Sequence, residues 1–145
     1  MPPRVCIDAS LATKLLVQEP YSAQVASLWQ SWTENGIERI APAFFPFEVA
    51  SAIRRKCVRK QLTEEEAKEA FNIFTRLGFT VLTPEALLKD AWDMTGELGL
   101  PTLYDTAYLV LAKLCNCEFW TADEALVNSL QGKLPWVRWI GGYAT

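Results

Sequence analysis

Near its N-terminus the chain reads Val5-Cys6-Ile7-Asp8-Ala9-Ser10, an apolar run that ends at an acid and leads into a helical pattern. A short run that is apolar throughout is typical of a strand covered on both faces, as in a parallel sheet. A short helix is predicted directly after it, at about residues 10–17. This stretch therefore predicts a strand-helix unit of an α/β sheet, with Asp8 at the turn between the two elements.

The same alternation of short apolar runs and helical patterns continues along the chain and is typical of a parallel α/β sheet. Further strands are predicted at residues 38–41, 79–82, 118–121 and 136–140. Helices are predicted between them, including one that begins at Thr83-Pro84 and one at about 103–114 with Tyr104 facing inward. The 145 residues contain no repeat and no linker, so we predict a single domain spanning 1–145.

The composition excludes several kinds of chemistry. The chain has no histidine, which rules out Ser-His-Asp and Cys-His catalysis and His-ligated zinc. Its formal charge of −3 excludes a globally basic nucleic-acid binder, so a contact with nucleic acid needs a local basic patch. No apolar run approaches the length of a membrane span and no secretion signal is found, so we expect a cytoplasmic protein whose four cysteines are reduced.

Four acids occupy positions at which parallel α/β sheets bind ligands. Asp8 and Asp123 follow predicted strands, and ligands of open parallel sheets bind beyond the carboxyl ends of the strands. Glu48 and Asp105 fall in the first turns of predicted helices and in strongly apolar sequence, where an acid is expected to be partly buried. We therefore predict that the four side chains meet at one end of the sheet.

A cluster of four carboxylates requires either a cation or protonation. Two like charges about 4 Å apart repel by roughly 4 kcal/mol at an effective dielectric constant of about 20. Ligands that are all oxygen suit Mg²⁺ or Mn²⁺ better than zinc or copper. Such an ion can polarise a phosphate, generate hydroxide near neutral pH and stabilise a leaving oxygen.

Each acid also has a structural explanation. Asp123 fits a helix cap, Asp105 can compensate a helix dipole, and Asp8 can be a loop acid. Glu48 is the hardest to explain in this way, because a cap role gives no reason for its strongly apolar surroundings.

Four segments, which follow one another along nearly the whole chain, carry a family resemblance. They are Val5-Cys6-Ile7-Asp8-Ala9-Ser10, Ala41-Pro42 through Phe47-Glu48-Val49-Ala50-Ser51-Ala52, Leu103-Tyr104-Asp105-Thr106-Ala107-Tyr108-Leu109, and Phe119-Trp120-Thr121-Ala122-Asp123. Together they resemble the PIN-domain family, and within it the VapC-type ribonuclease toxins of bacterial toxin–antitoxin pairs. Each motif is unspecific by itself, and the combination of four in the family's order is what makes the resemblance informative.

The resemblance implies a three-layer α/β/α PIN-like fold whose five-stranded parallel sheet has the order 3-2-1-4-5. It implies an endoribonuclease that depends on Mg²⁺ or Mn²⁺, with RNA as substrate, a cognate antitoxin protein as partner and a homodimer as the common assembly. Its acidic quartet, which is both catalytic and metal-binding, corresponds to Asp8, Glu48, Asp105 and Asp123. Ser10 corresponds to a polar residue near the metal, and Thr121 to a hydroxyl residue that helps to orient the last acid.

Basic and aromatic residues supply further candidates. Arg54, Arg55 and Arg59 follow Glu48 on the same predicted helix and can bind RNA phosphates, although a solvated helix end explains them equally well. Trp29 and Trp32 are predicted to pack in the core, in preference to forming a groove for an antitoxin helix. The alternative function for the chain is a non-catalytic PIN-like protein-binding module whose acids are structural.

Overall fold

The computed structural model describes residues 2–144. In this range the strands are β1 (Arg4–Ile7), β2 (Glu38–Ala41), β3 (Thr80–Val81), β4 (Glu118–Thr121) and β5 (Val137–Trp139). The helices are α1 (Ala9–Leu16), α2 (Ser22–Glu34), α3 (Phe45–Val58), α4 (Glu64–Phe74), α5 (Leu87–Leu98), α6 (Tyr104–Leu114) and α7 (Glu124–Ser129), and a 3-10 helix follows β5 at Ile140–Gly142.

The strands form one parallel sheet in the order β3-β2-β1-β4-β5, which confirms the predicted α/β fold and strand order. β1 lies at the centre, with Cys6 paired to Ile40 of β2 on one side and to Phe119 of β4 on the other. These three side chains are fully buried, as expected for strands covered by helices on both faces. The central position of β1 brings the turn after Ile7 to the middle of the carboxyl edge of the sheet.

Local sequence signals explain several helix ends. Thr63 and Glu66 form a capping box at the start of α4, in which each side chain accepts a hydrogen bond from the backbone N–H of the other residue. α5 ends at Gly99, which has a φ of 67° and so adopts the left-handed conformation that favours glycine. Trp29 and Trp32 are buried, which confirms that they pack in the core.

Two expectations for individual elements are wrong. α5 begins at Leu87 and not at Thr83-Pro84, because the chain first makes a turn in which the Leu87 N–H donates to the Pro84 carbonyl at 3.0 Å. Tyr104 does not face inward but is 58% exposed, since it is the first residue of α6 and lies at the rim of the sheet rather than over it.

In the part of the chain that the structure describes, no helix combines the length and the apolar character needed to cross a bilayer.

Candidate active site

A cleft of about 570 Å³ opens beyond the carboxyl ends of β1 and β4, and all four predicted acids line it. Asp8 follows β1, Asp123 follows β4, and Glu48 and Asp105 lie in the first turns of α3 and α6. The remaining lining residues are mostly small or aromatic: Ala9, Ser10, Thr13, Phe44, Phe47, Ser51, Ala52, Arg55, Tyr104 and Tyr108. The fold therefore brings together residues that are as far apart in the chain as Asp8 and Asp123.

Asp8 is the most buried of the four acids and the most firmly held. One carboxylate oxygen, Oδ1, accepts hydrogen bonds from the Ser10 hydroxyl at 2.7 Å and from the Leu11 N–H at 3.0 Å, and thereby caps α1. The other oxygen, Oδ2, accepts a hydrogen bond from the Thr121 hydroxyl. Burial raises the pKa of Asp8 to about 6; these three hydrogen bonds oppose the rise, and the charge of Asp105 adds to it. A proton therefore competes for this carboxylate only slightly below neutral pH.

Two hydroxyls connect the end of β4 to the start of α1. Thr121 Oγ1, which donates to Asp8, also accepts a hydrogen bond from the Asp123 N–H at 3.0 Å. Ser10 Oγ accepts a hydrogen bond from the Ala122 N–H at 3.1 Å and lies 3.2 Å from Thr121 Oγ1. The Thr121 hydroxyl thus contacts the backbone N–H of Asp123 and not its carboxylate. The carboxylate that this hydroxyl orients is that of Asp8.

The other three acids keep carboxylate oxygens that accept no hydrogen bond from the described residues 2–144. Glu48 Oε1 accepts a hydrogen bond from the Tyr108 hydroxyl at 2.7 Å, and Asp123 Oδ1 caps α7 by accepting from the Leu126 N–H at 3.0 Å. Asp105 accepts no hydrogen bond from residues 2–144. Burial raises the pKa of Asp105, and the charges of Asp123 and Glu48 raise it further. Burial and the hydrogen bond to Glu48 also raise the pKa of Tyr108. The Tyr108 hydroxyl therefore stays protonated and acts as the donor that holds the Glu48 carboxylate.

The donor set suits a hydrated divalent ion. Within residues 2–144, no group of three acidic or cysteine side chains is close enough to hold one ion by direct contact. The four acids therefore share a cleft without converging on a single point. All their donors are oxygens, and Mg²⁺ commonly keeps several of its water ligands while it binds one or two carboxylates. A Mg²⁺ or Mn²⁺ ion held partly through water fits these residues.

Only one of the three candidate arginines lines the cleft. Arg55 lies seven residues after Glu48, two helical turns along the same face of α3. Arg54 instead pairs with the exposed Glu64 at 3.4 Å, and Arg59 is the exposed residue that ends α3. The seven-residue spacing from Glu48 is the signal that distinguishes Arg55 from its neighbours.

Sequence reasoning missed the aromatic residues of the cleft. Phe47 and Tyr104 each directly precede an acid of the cleft, and Phe44 and Tyr108 complete the aromatic wall. The pairs Phe47-Glu48 and Tyr104-Asp105 were visible in the sequence. An aromatic residue next to an acid is however uninformative until the helix that carries both is placed against the sheet.

The Thr121 hydroxyl is expected to be essential for a stable site. Thr121→Val should lower the free energy of unfolding by about 2 kcal/mol, because a buried oxygen of Asp8 and the Asp123 N–H both lose their partner. Thr121→Ser keeps the hydroxyl and should recover most of this loss. Urea denaturation of both variants at neutral pH measures the difference, and equal stabilities for Val and Ser would show that the hydroxyl does not hold Asp8.

Comparisons with known proteins show similarity in sequence and in fold. No family model matches the chain. In sequence the chain is similar to ribonuclease VapC9 of Mycobacterium tuberculosis, with 27% identity over 132 residues that cover 90% of this chain and 94% of VapC9. It is also similar to ribonuclease VapC12 of the same species, with 28% identity over 125 residues that cover 86% of this chain and 91% of VapC12.

Solved structures agree on the fold. VapC20 of Mycobacterium tuberculosis, described as a sarcin-ricin loop cleaving toxin, superposes with a TM-score of 0.65 at 12% identity, covering 86% of this chain and 94% of VapC20. PAE2754 from Pyrobaculum aerophilum superposes with a TM-score of 0.59 at 18% identity, covering 89% of this chain and 87% of PAE2754. The resemblance to VapC-type ribonucleases, which four short motifs predicted, is confirmed by the sequence comparisons, and the solved structures agree with the predicted fold.

Proposed function

We propose that this chain is a metal-dependent endoribonuclease that hydrolyses RNA phosphodiester bonds and acts as the toxin of a type II toxin–antitoxin pair. The proposal depends above all on one cleft lined by four carboxylates, three of which keep oxygens that no described residue engages. The similarity to ribonucleases VapC9 and VapC12 over most of the chain supports the reaction, and the toxin VapC20 supports the biological role.

Asp8 and Asp105 are assigned as the principal ligands of Mg²⁺ or Mn²⁺, with Glu48 and Asp123 completing the site through water. Asp105 supports this role because its side chain is accessible in the cleft and accepts no hydrogen bond from residues 2–144, so its carboxylate is available to an ion. Asp8 supports it because its position is held by three hydrogen bonds. When bound, the ion would act as a Lewis acid that lowers the pKa of water and offsets charge on the leaving oxygen.

The chain's own residues orient the reacting groups. The hydroxyls of Ser10 and Thr121 hold the Asp8 carboxylate, and the Tyr108 hydroxyl holds Glu48 by one oxygen so that the other stays available to water. Arg55 is the cation of the cleft and is assigned to the phosphate of the substrate. No imidazole is needed, because the carboxylates can accept the proton of the attacking water.

We also propose an antitoxin partner, a homodimer and a cytoplasmic location. A cognate antitoxin is expected because the chain resembles VapC-type toxins, and the four free cysteines agree with action in the reducing cytoplasm. For a homodimer, α5 offers an apolar patch made of Leu88 and Trp92, which are one turn apart and 75% and 70% exposed.

The direct test is the dependence of RNA cleavage on a divalent ion. Protein stripped with EDTA is expected to leave total RNA intact, and added Mn²⁺ should restore cleavage and raise the melting temperature, because the ion removes the repulsion among the four acids. Gel analysis of RNA and a thermal shift measure the two effects, with Na⁺ at equal ionic strength as the control. A protein that neither cleaves RNA nor responds to Mn²⁺ would instead be the non-catalytic binding module.

A further inference from the structure

Two large aromatic side chains are exposed at the rim of the acidic cleft. Phe47 is 78% exposed and Tyr104 58%, although exposed aromatic residues of this size are costly in water. Each lies in the first turn of its helix, directly before Glu48 or Asp105. Because successive helical residues are turned by about 100° from one another, each ring lies beside its acid and does not cover it.

Tyr104 is held in place from within the cleft. Its ring contacts the edge of Phe44 at a centroid distance of 5.2 Å, and Phe44 contacts Tyr108 in the same way at 5.3 Å. Tyr108 in turn donates its hydrogen bond to Glu48. The ring of Tyr104 is therefore positioned relative to an acid of the site while much of its surface stays open to solvent.

The charges of the cleft argue that RNA needs contacts other than those to its phosphates. The lining residues carry four acids and one cation, Arg55, and the whole chain has a formal charge of −3. Phosphate contacts normally supply most of the affinity of a nucleic-acid binder, and they require lysines and arginines. Stacking of a base on an aromatic ring supplies affinity without any charge and with little dependence on sequence.

We propose that Phe47 and Tyr104 stack on nucleobases of an unpaired RNA strand whose phosphate lies among the four acids. The inference rests on the proposed ribonuclease function and adds two residues that would position the bases on either side of the scissile phosphate. In a duplex the bases are stacked on one another and paired, so neither ring can reach a base face.

The test compares four variants as enzymes with Mn²⁺ present. The substrate is a short RNA of randomised sequence, offered single-stranded and annealed to its complement, so that the pool contains every short sequence at which the strand could be cut. Phe47→Ala and Tyr104→Ala are expected to raise KM for the single strand by about 10-fold each with a much smaller change in kcat. Tyr104→Phe keeps the ring and should retain the wild-type KM.

Phe71→Ala is the matched control, since Phe71 is also an exposed helical phenylalanine but lines a different surface, between α3 and α4. Its KM should equal that of wild type. The melting temperatures of Phe47→Ala and wild type should also agree, because a side chain that is 78% exposed contributes little to the fold. The duplex should be cleaved poorly by every variant, and KM for the single strand should depend only weakly on salt because few phosphates are contacted.

The outcomes separate this inference from the function on which it rests. If wild type cleaves the single strand and both alanine variants keep its KM, the stacking role is overturned and the ribonuclease function stands. Unchanged KM values together with lost self-association on size-exclusion chromatography would assign the two rings to a protein contact instead. If wild type cleaves total RNA but nothing in the randomised pool, this inference is overturned, and if it cleaves neither, the ribonuclease function itself is overturned.

Discussion

Asp105→Asn is expected to reduce RNA cleavage by at least about 100-fold, a loss larger than is typical for residues that only support a metal ligand. Asp105 is exposed in the cleft and accepts no hydrogen bond from the described residues, so its substitution breaks no contact that holds the fold together. Asn keeps the size of the side chain but removes the charge that attracts a cation. Cleavage of total RNA with saturating Mn²⁺ measures the effect.

The substitution should not unfold the protein. The charges of Asp123 and Glu48 already disfavour an ionised Asp105, so the metal-free variant should be at least as stable as metal-free wild type. Asp93→Asn is the matched control, because Asp93 is a helical acid whose ion pair with Lys89 lies on the surface of α5. It should cleave RNA at the wild-type rate.

The same variants give a test in cells. Induced expression of the wild-type chain and of Asp93→Asn should arrest growth, and Asp105→Asn should not. If Asp105→Asn arrests growth as strongly as wild type while its cleavage is lost, the arrest does not come from RNA hydrolysis. If wild type causes no arrest, the toxin assignment is wrong.

The metal-free protein is expected to lose stability as the pH rises through the pKa of Asp8. The folded-state pKa is about 6, whereas an exposed Asp has a value of 3.8, so the folded state binds the proton more tightly. The contribution of Asp8 is therefore fully present below pH 3.8 and is lost as the pH rises through about 6. The difference of about two pKa units corresponds to about 3 kcal/mol over the whole range.

A comparison with Asp8→Asn over a narrower pH range separates this group from the other acids. Between about pH 5 and pH 8, Asp8 should contribute a loss of about 1 kcal/mol in the free energy of unfolding, measured by urea denaturation in EDTA. Asp8→Asn cannot titrate and should lack this contribution. Mn²⁺ should also remove it from wild type, because the ion favours the ionised carboxylate in the folded state. The idea fails if wild type and Asp8→Asn show the same pH dependence in EDTA.

Much of the fold followed from local patterns. The run Val5-Cys6-Ile7 is apolar at every position, so it had to be a strand covered on both faces, and it lies at the centre of the sheet. The capping box at Thr63 and the glycine at position 99 mark helix ends for reasons that involve only a few neighbouring residues. Where the local signal was ambiguous, as at Thr83-Pro84, the helix start was predicted wrongly.

The positions of the four acids along the elements could be predicted from local patterns, because strand and helix periods depend on short-range backbone geometry. The groups that surround the acids depend on how distant elements pack. The bond from Thr121 to Asp8 joins residues 113 positions apart, and the bond from Tyr108 to Glu48 joins residues 60 positions apart. Local pattern carries no information about such pairs, since packing of the helices against the sheet sets them. The same packing brings Arg55, but not Arg54 or Arg59, to the cleft and leaves Tyr104 exposed at its rim.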